Sequence, residues 1–274
     1  MKNIIVKILK KLRMYSIVVI IIGWMSARQE ELNKKTIKQL LQKEDPVVLE
    51  LGACDGWDTK RFLREFRDIR IYCFEPDPRN LAILQKSIKD DRCVVVEAAV
   101  SNKDGEAILH MSTGWPRPLP RWLQFPGLSK AHTSLRKKEW TASSSIVESV
   151  PHSEDLPWLT FDRVAGVKAV KLDTWVREEN IVHVDFIWMD VQGAERGVIE
   201  GAADTLKMTN FVFTEFGETS TYPEAMTGEE TIEIMKEHGF DLVPEYSAAI
   251  TAKRGNLLFR NKAFKAKPLS FVLT

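Results

Sequence analysis

The chain has 274 residues, with 39 Lys and Arg against 38 Asp and Glu, and hydrophobic residues make up 44% of it. This composition is typical of a globular protein of one large domain or two, and it excludes a disordered, collagen-like or multi-span membrane protein. The near-neutral charge also argues against a nucleic-acid binder, which usually carries a basic surplus. Cys54, Cys73 and Cys93 form no CxxC pair, so we predict reduced thiols in a cytosol-facing domain, without a disulfide framework or a zinc site.

The N-terminal segment combines a basic stretch with an apolar one. Five basic residues occur among the first thirteen, and about fourteen uncharged residues follow from Met14 to Ala27. That apolar length is short of the roughly twenty residues that a membrane-spanning helix needs. Three interpretations stay open: an amphipathic helix on an anionic membrane surface, a leading helix packed on the domain, and a cleaved signal peptide. Residues 1–45 are therefore predicted to be an arm and a leading helix (Glu30–Glu44), in the cytoplasm or at the cytoplasmic face of a membrane.

Residues 46–262 alternate between strand-like and helix-like segments, which is typical of a parallel sheet covered by helices. We predict strands at Val47–Leu51, Arg70–Phe74, Cys93–Val100, Val167–Leu172, Val184–Met189, Asn210–Glu215, Phe240–Pro244 and Asn256–Phe259. The last two follow each other without a crossover helix, so they should be antiparallel. Glu106–Met111 follows a turn and is predicted to return as a hairpin partner. One helix is predicted from Ala194 to about Lys207.

Residues 112–160 interrupt this alternation with six prolines and four tryptophans. An irregular segment of this length inside a compact domain is usually a lid, a binding loop or disordered, and disordered segments are poor in aromatic residues. We therefore predict a lid over the substrate site; a structural excursion that covers a sheet edge is the alternative. Residues 263–274 are predicted to be a C-terminal tail.

A glycine-containing turn, Glu50–Gly56, follows the first strand and precedes a helix. Gly52 and Gly56 let the backbone turn sharply and approach a ligand without a Cβ in the way. Their spacing differs from the GxGxxG motif that seats a pyrophosphate on a helix N-terminus. A nucleoside cofactor without phosphates therefore fits better than a dinucleotide, and a plain tight turn is the alternative.

Glu75 ends the second strand, 19 residues after Gly56. A carboxylate at this position reaches across the crevice and accepts hydrogen bonds from both ribose hydroxyls. The alternative is a helix N-terminal acid stabilised by the helix dipole, a description that suits Asp77 better. The small side chains of Ala98 and Ala99 leave room for an adenine near the end of the third strand.

Asp190 and Glu215 end two neighbouring strands at the point where open α/β sheets bind ligands. The two carboxylates could share one crevice as a base and an orienter, or they could bind a divalent cation such as Mg²⁺. The alternative for Asp190 is a cap of the following helix. His132 and His152 in the predicted lid are further candidates for a general base, or are solvated loop histidines.

Several segments together resemble the FkbM-type S-adenosylmethionine-dependent methyltransferases. They are Val47–Gly56, Phe74–Pro78, Ala98–Gly105, Val170–Asp173 and Asp190–Glu195. The resemblance extends over about residues 47–260. It implies a class I methyltransferase sheet, which is Rossmann-like with seven strands, the last one antiparallel, and helices on both faces. It also implies methyl transfer from S-adenosylmethionine to a hydroxyl oxygen.

The resemblance also implies roles for individual residues. Asp190 borders the methyl-transfer site, and we predict Glu215 as its catalytic partner. The predicted cofactor contacts are Glu50, Gly52, Ala53, Gly56, Glu75, Pro76 and Ala99. Two residues depart from the family, which commonly has a lysine where Trp188 stands and a glutamate where Gln192 stands.

The predicted acceptor is a hydroxyl on a small molecule or glycan, with no nucleic-acid partner and with a membrane surface as an option through residues 1–27. Two rival functions stay open at this point. One is an NAD-dependent oxidoreductase on the same type of sheet, which the missing third glycine disfavours. The other is a catalytically silent membrane-associated binding module, because a fold alone does not prove an activity.

Overall fold

The fold is described from a computed structural model, which covers residue 32 and residues 34–114, 139–153, 156–217, 220–248 and 252–264. The predicted arm (1–27), residues 115–138 of the predicted lid and residues 265–274 of the predicted tail lie outside these described residues. Among the helices that are described, none has both the length and the apolar character that crossing a membrane requires.

The described residues form a main sheet of seven strands in the order β3-β2-β1-β7-β8-β10-β9. Its strands are β1 (Val47–Leu51), β2 (Arg70–Phe74), β3 (Cys93–Val96), β7 (Val184–Met189), β8 (Thr209–Phe216), β9 (Phe240–Leu242) and β10 (Gly255–Asn261). β10 lies between β8 and β9 and runs antiparallel to both, whereas the pairs formed by β1, β2, β3, β7 and β8 are parallel. The predicted α/β sheet with an antiparallel final pair is confirmed.

The main sheet is apolar on both faces because helices cover both. Alternate side chains of β1 enter different cores, Val48 on one face and Leu49 and Leu51 on the other. The first core is closed by α1 (Lys34–Leu41), α2 (Trp57–Glu65) and α3 (Pro78–Ser87), and the second by α4 (Leu172–Glu178), α5 (Glu195–Glu200), α6 (Ala203–Lys207) and α7 (Gly228–Glu237). Full burial of such an aliphatic side chain contributes about 1.5–3 kcal/mol.

A second sheet differs from the prediction. In the described chain it has three strands, β4 (Ala99–Val100), β5 (Gly105–Gly114) and β6 (Leu159–Val170), in the order β4-β6-β5. The predicted third strand, Cys93–Val100, is therefore two strands in different sheets. The predicted return of Glu106–Met111 as a hairpin partner is wrong, because β5 pairs with β6. β6 lies between β4 and β5, so that Ala169 is opposite residues of both.

The chain between Ala194 and Lys207 also departs from the prediction of one helix. It forms α5 and α6, which are separated at Gly201 and Ala202. The Cα atom of Gly201 packs against the main chain of Ser101, since a Cβ there would lie 2.1 Å from the Ser101 carbonyl oxygen. This backbone contact ties the start of α6 to the loop after β4.

Candidate active site

A cleft lies at the carboxyl ends of β1, β2 and β7, with about 960 Å³ of empty volume including the part that is open to solvent. Asp190 lines the cleft, whereas Gly56 and Glu215 are not among its described lining residues. The predicted cofactor contacts that line it are Glu50, Gly52, Ala53, Glu75, Pro76 and Ala99.

The two glycines of the turn are needed for packing within the protein. Gly52 has a φ of +89°, and a Cβ there would lie 2.0 Å from the main-chain oxygen of Asp190. Gly56 has a φ of +78°, and its Cβ would lie 2.6 Å from the side chain of Leu84. Both glycines therefore adopt the left-handed conformation, and Gly52 lets the ends of β1 and β7 approach each other beneath the cleft.

Glu75 is a buried carboxyl group held by the main chain. Its Oε2 accepts the N–H of Cys54 at 2.7 Å, and its Oε1 accepts the N–H of Asp77 at 2.8 Å. Burial raises the pKa of Glu75 to about 8, against the effect of these two donors. Asp77 is the N-cap of α3, since its side chain accepts the N–H of Arg79. The helix-capping role thus belongs to Asp77, which leaves Glu75 facing the cleft.

Glu50 binds other parts of the protein. Its Oε2 accepts hydrogen bonds from the Thr59 hydroxyl at 2.6 Å and the Cys73 thiol at 3.2 Å. Glu50 is 1% exposed, so these bonds join β1 to the first turn of α2 and to β2 inside the protein. Its carboxyl group therefore fixes the glycine turn in place while it also borders the cleft.

Part of the predicted lid forms a wall of the cleft. The lining residues from this segment are Thr141, Ala142, Ser144, Ser145 and Ile146. Several hydrogen bonds attach the wall to the domain. Ser145 exchanges main-chain hydrogen bonds with His110 of β5, the Ser144 hydroxyl donates to Asp77, and the Asn80 amide donates to the Thr141 carbonyl. Sequence reasoning located the segment but not these residues, and its action as a lid stays a prediction.

Asp190 and Glu215 are joined by the side-chain amide of Gln192. Gln192 Nε2 donates to Asp190 Oδ1 at 2.5 Å and to Glu215 Oε2 at 3.1 Å. The hydroxyl of Tyr222 donates to Gln192 Oε1 at 3.0 Å and shares its hydrogen with the Ser143 carbonyl oxygen at 2.8 Å. The structure thus brings together the two carboxyl groups that the sequence placed at neighbouring strand ends.

Both carboxyl groups have raised pKa values. Burial, followed by the negative charges of Asp190 and Glu195, raises the pKa of Glu215 well above its ordinary value. Loss of hydration in the cleft also raises the pKa of Asp190, although hydrogen bonds from Gln192 and Glu215 act in the opposite direction. The pKa of Glu215 is raised further than that of Asp190, so the pair favours the proton on Glu215.

A second cavity lies on the other side of Gln192, the described residue that lines both cavities. Its empty volume is about 540 Å³, and its polar lining includes Glu195, Glu215, Thr221 and Arg254. Burial raises the pKa of Glu195 to about 7, although the main-chain N–H groups of its own turn lower it. Tyr222 also lines this cavity, and no sequence motif marked it as a site residue.

The remaining predictions had mixed outcomes. His152 contacts the Pro157 carbonyl oxygen at 2.9 Å and is not among the described residues lining either cavity, while His132 lies outside the described residues. Trp188 is 7% exposed and packs on Phe213, with ring centroids 4.5 Å apart. The described part of the chain contains no group of three or more side chains arranged to hold a metal ion.

The chain is similar to known methyltransferases over most of its length. Residues 50–242 match the Methyltransferase FkbM domain. The chain is 32% identical over 228 residues to 2-O-methyltransferase NoeI of Sinorhizobium fredii, an alignment that covers 83% of this chain and 84% of that protein.

Similar solved structures include the precorrin-6y C5,15-methyltransferase of Geobacter metallireducens, at 11% identity, with coverage of 82% of this chain and 86% of that chain and a TM-score of 0.41. Another is a SAM dependent methyltransferase of Aquifex aeolicus, at 9% identity, with coverage of 85% and 92% and a TM-score of 0.42. The fold class of this chain follows from its own strand order.

The seven-stranded sheet with one antiparallel strand, and the cleft at its strand ends, are those of a class I methyltransferase. The chain belongs to the FkbM methyltransferase family. This match confirms the resemblance found in the sequence, and the methyl donor is therefore S-adenosylmethionine. Family membership also decides against the NAD-dependent oxidoreductase.

The residues of the cleft fit this cofactor. S-adenosylmethionine carries a sulfonium and an ammonium group, and the described lining includes five carboxyl side chains and no Lys or Arg: Glu50, Asp55, Asp58, Glu75 and Asp190. Glu75 is 4% exposed and accepts one main-chain N–H group at each oxygen, so ribose hydroxyl groups would give its oxygens further donors. Ala99 is small and lines the same cleft, as an adenine site requires.

Proposed function

We propose that the protein transfers a methyl group from S-adenosylmethionine to a hydroxyl oxygen of a small molecule or a glycan. The observation that carries this proposal is the Asp190–Glu215 pair at the border of the cofactor cleft. A hydroxyl acceptor must lose a proton during the reaction, and a carboxylate beside the cleft can accept it. The 32% identity to a 2-O-methyltransferase supports the same class of acceptor atom.

The chain's own residues have two tasks in this reaction. S-adenosylmethionine supplies an electrophilic methyl group, which the acceptor oxygen attacks in line with the departing sulfur. Asp190 accepts the hydroxyl proton. The raised pKa of Glu215 favours its protonated form, in which the pair carries one negative charge instead of two. A single negative charge attracts the positively charged methyl donor less strongly than two charges would. The donor is therefore stabilised less before the methyl group is transferred.

We assign the acceptor to the second cavity. Glu195, Thr221 and Arg254 line it and offer hydrogen-bonding groups that suit a polyhydroxylated acceptor. Gln192 lines both this cavity and the cofactor cleft, so an acceptor hydroxyl bound beside Gln192 would lie near Asp190 and at the border of the cleft that would hold the methyl donor.

The first test is calorimetric titration of the purified chain with S-adenosylhomocysteine and, separately, with NAD. We expect micromolar binding of S-adenosylhomocysteine and no binding of NAD. The reverse result would overturn the assignment of the cofactor. Binding of neither would bring back the silent-module interpretation.

The acceptor is tested with methyl-labelled S-adenosylmethionine and a panel of oligosaccharides. Each free hydroxyl is paired with the corresponding deoxy sugar, so that loss of labelling identifies the methylated oxygen. Matched amines and carboxylates serve as the other acceptor classes. Labelling of an amine or a carboxylate, with no labelled hydroxyl, would contradict the proposal.

The N-terminal arm gives a proposal on localisation, namely that residues 1–27 bind the cytoplasmic face of a membrane. The basic and apolar residues of this stretch support it. Deletion of residues 1–27 should release the protein from anionic liposomes in a sedimentation assay without changing its affinity for S-adenosylhomocysteine. Unchanged sedimentation would remove the membrane proposal and favour a helix packed on the domain.

A further inference from the structure

Gln192 occupies a backbone conformation that is unfavourable for its side chain. Its φ is +55°, in the left-handed region that residues other than glycine rarely adopt. The next residue, Gly193, has a φ of +93°, and a Cβ there would lie 2.6 Å from the Cβ of Tyr222. The turn is therefore held against Tyr222, and strain of this kind is concentrated at functional sites.

Tyr222 determines which way the amide of Gln192 points. The Tyr222 hydroxyl donates to Gln192 Oε1, so the amide nitrogen faces the two carboxyl groups. Tyr222 is itself fixed, since it is 9% exposed, its ring packs on Phe161 at 6.3 Å, and its hydroxyl also reaches the Ser143 carbonyl. A rotated amide would place its oxygen against the charge of Asp190.

The two donor bonds of Gln192 are unequal. Nε2 lies 2.5 Å from Asp190 Oδ1 and 3.1 Å from Glu215 Oε2. A donor that bonds a carboxylate favours its charged form. The shorter bond therefore favours the charge on Asp190 and leaves the proton on Glu215.

Other charged groups act on this pair. Asp58 raises the pKa of Asp190, Glu195 raises that of Glu215, and Arg254 lowers that of Glu215. Loss of hydration is the main cause that raises the pKa values of the Cys54 thiol and the Tyr222 hydroxyl, and the negative charge of Asp190 adds to it. Gln192 is uncharged and acts differently from these groups, because its amide nitrogen donates hydrogen bonds to both carboxyl groups.

We propose that Gln192 is a positioning residue that keeps the proton of the pair on Glu215 and so leaves Asp190 free to accept a proton. The proposed place of the proton rests on the unequal distances from Gln192 Nε2 to the two carboxyl groups. Its use in methyl transfer to a hydroxyl rests on the proposed function.

The test measures the carboxyl groups directly, by ¹³C NMR titration of the protein bound to S-adenosylhomocysteine. Gln192→Met keeps the length of the side chain but removes both donors, and we expect it to raise the pKa of Asp190 by about one unit or more. Gln192→Glu adds a negative charge and should raise it further. Tyr222→Phe keeps the ring and should cause a smaller shift in the same direction, so it also serves if the Gln192 variants are unstable.

The matched control is Gln42→Glu. Gln42 is exposed, lies outside both cavities and also has a positive φ, of +48°. The same chemical change there should leave the pKa of Asp190 unaltered. An unchanged pKa of Asp190 in Gln192→Met would overturn the proposal. Gln192 would then only separate the two cavities.

The pH dependence of methyl transfer gives a second readout. In Gln192→Met the acid side of the profile should move to higher pH by the same interval as the pKa. A shift of one unit lowers the rate about tenfold on the acid side of the profile, and the rate recovers above the new pKa. An equal loss at every pH would indicate a structural role. If the wild type methylates no hydroxyl, the proposed function fails, and the NMR titration still decides where the proton lies.

Discussion

The two halves of the cleft are built by different means. The half around Glu75 is held by main-chain N–H groups of Cys54 and Asp77, close to the ends of β1 and β2. The half around Asp190 is held by side chains from separate segments, Gln192, Glu215 and Tyr222. Main-chain donors keep their place when side chains change, whereas the second half depends on each side chain that takes part. On the proposed function, the half around Glu75 binds the cofactor and is the constant part of the site, and the half around Asp190 accepts the proton and is the adjustable part.

The largest effect is expected in the adjustable half. Asp190→Asn keeps the shape of the side chain but removes the base, and kcat for methyl transfer should fall by about 100- to 10,000-fold. Affinity for S-adenosylhomocysteine, measured by calorimetry, should change little. Glu215→Gln is the matched comparison and should be milder, because a protonated Glu215 already resembles an amide. Equal losses in the two variants would contradict the separate roles.

Gly52→Ala tests the backbone contact between the halves. The added methyl group meets the main chain of Asp190 at 2.0 Å in a left-handed conformation, so we expect the free energy of unfolding to fall by about 3 kcal/mol. Gly239→Ala is the control, since Gly239 has a φ of +85° with no atom within 4 Å of the added carbon, and it should cost about 1–2 kcal/mol. Denaturant unfolding of both variants measures the difference. Equal losses of unfolding free energy in the two variants would show that the main chain at Asp190 moves to accommodate the added methyl group.

Glu75→Ala breaks the constant half. It should weaken binding of S-adenosylhomocysteine by about 1–3 kcal/mol, because the ribose hydroxyls lose their buried acceptor. Glu178→Ala removes an exposed glutamate of α4, outside both cavities, and should leave the dissociation constant unchanged. Undiminished binding by Glu75→Ala in the calorimeter would show that the ribose lies elsewhere.

The pH dependence of stability separates the halves by their buried acids. The folded-state pKa values of Glu75 and Glu195, about 8 and about 7, are raised above the ordinary value of 4.5. Between pH 4.5 and these raised pKa values, the folded state binds more protons than the unfolded state does. The free energy of unfolding should therefore fall as the pH rises above 4.5. Each group contributes up to about 1.4 kcal/mol per pH unit, until its folded-state pKa is passed.

Glu75→Gln should remove the contribution that extends to about pH 8, and Glu195→Gln the one that ends near pH 7. Denaturant unfolding at pH 5, 6, 7 and 8 measures both. The difference in slope between each variant and the wild type is the readout, because the amide also weakens local hydrogen bonds at every pH. Unchanged slopes would show that these acids are charged in the folded protein.

The sequence predicted the constant half better than the adjustable one, for a physical reason. Gly52 and Glu75 stand at fixed places relative to their strands, so local pattern and the topology of a parallel sheet locate them. Asp190 and Glu215 were also placed by their strand ends. Tyr222 and Ser143 lie in irregular segments, where no periodicity indicates what a side chain will meet. The position of β6 between β4 and β5 was missed because β6 lies far along the chain from the two strands with which it pairs.

The wall at residues 141–146 has a consequence for how such a protein diversifies. It lies between β5 and β6 of the second sheet, so its length and composition can vary without moving any strand that carries Glu75 or Asp190. Exchange of this one loop can therefore reshape a wall of the cleft while the strands that carry Glu75 and Asp190 keep their places. The second sheet is in this sense an attachment point at which the shape of the cleft can change independently of its floor.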